Sequence, residues 1–140
     1  MHAKKFITSA TAIVLVAGFN ASMATEVVDW TGQENFERLC AACHGVSGRG
    51  DGPVAAEIIK KVPDLSRIAA RNDGNFPRQI IKNVIDGRWR IDAHGTQQMP
   101  VWGYEFYIGE GADAFSEVRV SKILDDLVAY LESIQITDAD

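Results

Sequence analysis

The sequence predicts an all-α domain built around a single core, and three observations lead there. Apolar residues recur at spacings of three and four in separate segments, the mark of amphipathic helices. Helix start and stop signals flank those segments, Thr31-Gly-Gln-Glu34 at the first and Phe76-Pro77 with Gly87 at a later one. No run alternates apolar and polar residues as a strand does, and no repeat or linker divides the chain. With 140 residues, 46% hydrophobic and 24% charged, the chain has the make-up of one ordinary globular domain. Its 19 acidic residues against 14 basic ones leave no basic stripe of the kind nucleic-acid binding needs.

Residues 1–24 read as a secretory signal peptide. Lys4 and Lys5 precede an almost uncharged apolar run from Ala10 to Phe19, and Ser22-Met23-Ala24 is a small-x-small cleavage site. The run is shorter than the roughly 20 apolar residues a spanning helix needs, so cleavage after Ala24 is expected, with no stable membrane insertion afterwards. The expected product is a domain of residues 25–140, more acidic than the formal −5 of the whole chain because both lost charges are lysines. Trimming also leaves Met99 as the one methionine, with His44 and His94 as the remaining histidines.

In the first predicted helix, Gly32, Phe36, Leu39 and Cys40 form one apolar stripe, closed by a glycine-rich loop from Gly45 to Gly52. Pro53 suits a first helical position, so Val54, Ile58, Ile59 and Val62 predict a short helix ending at Pro63. Leu65 to Ala70 predicts another turn or two. After Phe76-Pro77, Ile80, Ile81, Val84 and Ile85 are expected on one helix face, with Gly87 as a left-handed stop. From Arg88 to Ser116 periodicity vanishes, which predicts a long loop. Val120, Ile123, Leu124, Leu127, Val128, Leu131 and Ile134 then mark the core face of a last helix.

The chemistry lies in Cys40-Ala-Ala-Cys43-His44, the c-type haem attachment pattern. At i and i+3 two thiols point to one helix face, where they reach the two vinyl groups of a haem edge, and His44 is turned to the iron. A redox C-x-x-C pair would need a βαβ setting, and a zinc site would need ligands beyond His94. A plain disulfide would leave His44 without a reason. Met99 is the candidate sixth ligand, because a lone methionine in a loop fits a gap-filling core role poorly; His94 is the rival. Arg88, Trp89 and Arg90 are candidate donors to haem propionates. Trp102, Tyr104, Phe106 and Tyr107 are expected to pin the loop to the domain, with Trp102 near the haem.

These features together resemble a class I cytochrome c: a first helix with Gly32 and Phe36 running into the haem motif, one Met-Pro step at Met99-Pro100, and a final Leu127-Val-Ala-Tyr130-Leu131 helix. The resemblance implies that the first and last helices cross near the haem edge, with Gly32 and Phe36 meeting Leu127, Tyr130 and Leu131. It also implies one covalent haem c whose iron is ligated by His44 and Met99. Pro63 would accept a hydrogen bond from His44 just before a haem-packing Leu65, with Pro53 the alternative acceptor. The function implied is a periplasmic one-electron carrier that does no substrate chemistry itself, serving a redox-protein donor and acceptor such as a dehydrogenase, oxidase or membrane complex. Two alternatives are a haem enzyme or gas binder with an open sixth position, and a dedicated subunit of a larger complex. The acidic chain argues for a partner with a neutral or basic docking face, or an apolar contact.

Overall fold

The computed structural model describes residues 29–88 and 98–136. The elements run α1 (Gly32–Leu39), α2 (Ala41–His44), 3-10 turns at Ala55–Glu57, Leu65–Arg67 and Ala70–Asn72, then α3 (Arg78–Asp86), α4 (Trp102–Gly109) and α5 (Ser116–Ser133). Among the described residues there is no strand, and no helix is long and apolar enough to cross a membrane. The proposed signal peptide, Trp89, Arg90 and His94 lie outside the described residues.

The capping box forms at the head of α1: the Thr31 hydroxyl accepts from the Glu34 amide, and the Glu34 carboxylate accepts from the Thr31 amide at 2.8 Å. The helix crosses α5 so closely that a side chain on Gly32 would overlap the Asp126 carbonyl oxygen. One turn on, fully buried Phe36 meets Tyr130 with ring centroids 5.2 Å apart. The crossing expected from the resemblance is therefore present. Val120, Leu124, Leu127, Val128 and Leu131 of α5 supply most of the core, with Phe36, Ala41 and Ile85.

Three expectations are corrected. The helix expected from Pro53 to Val62 is a single 3-10 turn: the Gly52 and Val54 amides donate to the Cys43 and Ala42 carbonyls at 3.2 and 3.1 Å, tying this segment to α2. Ile59 is consequently 89% exposed. In α3 the expected four-residue face splits. Ile85 is buried and Ile81 packs on the core, whereas Ile80 and Val84 are exposed, because α5 covers only one of the two i, i+4 rows. Arg78 pairs with Glu132 and Lys82 with Asp125, which fixes that orientation. Gly87 stops α3 at φ +69°, as its sequence position predicts.

The third correction is α4, a helix where the sequence predicts only loop. Trp102, Phe106 and Tyr107 pack on the core while Tyr104 and Ile108 are exposed, so apolar residues lie all round the helix and no stripe betrays it. Its turn into α5 is clamped by Arg119, whose guanidinium donates to the Glu110 carboxylate and the Asp113 carboxylate, both at 2.8 Å. The segment from Leu65 to Ala70 is helical as expected, but as 3-10 turns, the first capped by Asp64 accepting from the Ser66 amide at 2.9 Å.

Candidate functional site

The Cys-x-x-Cys-His motif occupies a bend. The stripe from Gly32 to Cys40 does not continue into one helix, because Cys40 caps α1 and opens α2, its amide donating to the Phe36 carbonyl at 2.9 Å. The Cys43 and His44 amides both return to the Cys40 carbonyl, at 3.1 and 2.9 Å. One turn thus holds the two thiols and the imidazole at i, i+3 and i+4, on neighbouring positions of one short helix.

Cys40 and Cys43 are half-buried and not joined to each other. Burial, with Cys43 adding to it, pushes the Cys40 thiol up to about 12. A redox-active C-x-x-C pair needs the opposite, a lowered thiol pKa. Among the described residues no group of three or more His, Cys, Asp and Glu side chains is placed to hold a metal ion, so nothing there supports the zinc alternative.

His44 Nδ1 lies 3.4 Å from the Pro63 carbonyl oxygen. A carbonyl only accepts, so this contact assigns the proton to Nδ1 and leaves Nε2 with its lone pair. Burial lowers the imidazole pKa below its usual 6.5, with the Pro63 carbonyl pulling the other way. The result is a neutral, oriented imidazole, the state a metal-ligating histidine requires.

The glycine-rich loop sets that contact. The Gly50 amide donates to the His44 carbonyl at 2.8 Å, and a side chain on Gly50 would lie 2.5 Å from the Val62 oxygen and 3.2 Å from the Pro63 oxygen. Gly50 adopts φ +78°, a left-handed conformation that favours glycine. The Leu65 amide donates back to the Gly48 carbonyl, closing the loop against the Pro63–Leu65 segment. The ring's acceptor is therefore Pro63 and not Pro53.

The other expected site residues border the same core cluster: Cys40, Leu65, Met99 and Trp102 all pack against it, each half-buried. Trp102 is stacked on Phe106, centroids 5.6 Å apart. Arg88, expected as a candidate propionate donor, faces Asp86 and Glu117 in the structure. Its guanidinium is committed to both oxygens of Asp86, at 2.7 and 2.9 Å, and to Glu117 at 2.8 Å. Two glutamines that sequence reasoning missed also hold the site. Gln98, next to Met99, accepts from the Lys60 amide at 3.1 Å, and Gln135 donates to the Leu65 carbonyl at 2.8 Å. Neither carries a sequence signal, since each bond links a side chain to backbone far along the chain.

The donor set fits a covalently attached haem: two unjoined thiols one turn from a neutral imidazole whose far nitrogen is held by a carbonyl, and a thioether on the same core. Comparison with curated proteins and with solved structures returns no match. The family model described as Cytochrome c matches residues 31–135, from the α1 cap through the end of α5. The chain belongs to the cytochrome c family, electron-carrying proteins that hold haem c and its iron by covalent attachment.

Proposed function

We propose that residues 25–140, released by cleavage after Ala24, work in the periplasm as a monohaem one-electron carrier between a redox-protein donor and acceptor. Cys40 and Cys43 form the thioethers, His44 and Met99 are the axial ligands, and Pro63, Leu65 and Trp102 line the haem. The donor and acceptor are of the dehydrogenase, oxidase or membrane-complex kind. Their docking faces are neutral or basic, or make apolar contact, because the chain is acidic.

The observation that carries this reading is the His44–Pro63 contact on a Cys-x-x-Cys-His turn. Bound haem supplies a one-electron Fe(III)/Fe(II) couple. The chain's residues do the rest. Pro63 keeps the Nδ1 proton in place and raises the donor strength of Nε2. The Gly48–Gly52 loop fixes the Pro63 carbonyl, and the core behind Cys40, Leu65 and Trp102 excludes water from one side of the site. A Met99 thioether raises the potential and closes the coordination sphere.

Optical spectroscopy of the ferric holoprotein tests the ligand set. A long-wavelength iron–sulfur charge-transfer band is expected, and Met99→Ala should abolish it. Rapid carbon monoxide binding by the unmodified ferrous protein would instead favour an open-site haem protein.

A further inference from the structure

Three helices meet at one half-buried guanidinium, that of Arg88. Asp86, the last residue of α3, is buried, and both its oxygens are used: Oδ1 accepts from Arg88 Nε at 2.7 Å and from the Arg88 amide at 3.2 Å, and Oδ2 accepts from Nη2 at 2.9 Å. The remaining arm of Arg88, Nη1, donates to Glu117 in the first turn of α5 at 2.8 Å. Gly103 of α4 lies directly on this pair, and any side chain there would overlap Asp86 Oδ1 and Arg88 Nε. The first turn of α4 is closed by the Tyr104 and Glu105 amides donating to the Val101 carbonyl at 3.0 and 3.1 Å. Only Pro100 separates Val101 from Met99, so the start of α4 and Met99 are joined by a short, proline-stiffened link.

A half-buried ion pair is a poor device for stability, since the cost of desolvating its charges offsets much of their attraction. A planar guanidinium gripped in two fixed directions is a good device for register. We propose that Asp86, Arg88 and Glu117 are positioning residues for the Met99 ligand, holding the start of α4 at the distance from α3 and α5 at which the thioether meets the iron. The proposal rests on the reading of Met99 as axial ligand.

The test uses ferric holoprotein and added imidazole, which competes with Met99 for the iron. Asp86→Asn should raise imidazole affinity about tenfold or more, because the carboxylate that takes two of the guanidinium's three side-chain bonds loses its charge. The charge-transfer band should vanish at lower denaturant concentration, while helix unfolding followed by far-UV circular dichroism moves less. Glu117→Gln, which removes one charge on a largely exposed side chain, should move imidazole affinity in the same direction by less. Band and helices shifting together in Asp86→Asn, or imidazole affinity unchanged in both variants, overturns the positioning role. Absence of the band from the unmodified protein refutes the Met99 reading itself, an outcome seen before any variant is made.

Discussion

Replacing Gly50 with alanine tests whether the glycine-rich loop sets the Pro63 carbonyl that orients His44. At φ +78° a side chain costs about 1–2 kcal/mol from backbone strain. The new methyl group would lie 2.5 Å from the Val62 oxygen, whereas ordinary contact begins at 3.4 Å, so the Val62–Pro63 segment must retreat by about 0.9 Å. The His44–Pro63 contact is already 3.4 Å, the outer limit of a hydrogen bond, and does not survive such a shift. Gly74 supplies the control, because it has φ +81° and no atom within 4 Å of an added methyl. Gly74→Ala should therefore cost the strain alone, about 1–2 kcal/mol, and Gly50→Ala about 1–3 kcal/mol more from crowding. Denaturant unfolding of both holoproteins measures the difference, and NMR of the His44 Nδ1 proton, with the reduction potential, reports the hydrogen bond. Equal destabilisation by the two substitutions, or an unchanged Nδ1 proton in Gly50→Ala, would refute the reasoning.

Phe36→Ala removes a fully buried ring packed on Tyr130 and should lower stability by about 3–5 kcal/mol; a loss under about 1 kcal/mol in denaturant unfolding would contradict the α1–α5 crossing as the centre of the core. The Arg88 guanidinium holds the Asp86 carboxyl below its ordinary 3.8, against the opposing effect of burial. A carboxylate with a lowered folded-state pKa adds stability above its unfolded value and loses it as pH falls through the folded one. Stability should therefore drop below pH 3.8, and Asp86→Asn should flatten that part of the profile, as compared by unfolding midpoints across the acid range. Removing the haem should leave the chain poorly folded, since a chain of this length builds only a modest core without the cofactor; far-UV circular dichroism of apoprotein showing the full native helix would contradict this.

What the sequence made legible follows from where each signal resides. The α1 cap and the α5 core face are local patterns, Thr31 with Glu34 and Val120 through Leu131, and packing reinforces both. In α4 the pattern is absent, because Trp102, Tyr104, Phe106 and Ile108 surround the helix and Gly103 lowers its propensity. That glycine is kept by the Asp86–Arg88 pair pressed against it, a contact no local window contains. The Pro53–Val62 expectation failed for a related reason. Its periodicity was real, but backbone bonds to Ala42 and Cys43 outweighed it. The Cys-x-x-Cys-His turn was legible from spacing, and the pairing of His44 with Pro63 only through resemblance to a family. Gln98 and Gln135 were illegible, because the bonds by which they hold the site, to the Lys60 amide and the Leu65 carbonyl, reach other segments.

The crossing of Gly32 and Phe36 with Asp126 and Tyr130 has a kinetic consequence as well. Its two halves stand at opposite ends of the described chain, so a polypeptide emerging amino terminus first has α1 and its thiol-bearing turn long before it has the helix that packs on α1. Closing so long a loop is slow compared with forming α2, because the entropy of bringing distant segments together opposes it until the contacts form. The thiol-bearing turn is thus open to haem attachment before α5 can dock on α1, and the core that the haem completes then secures the crossing.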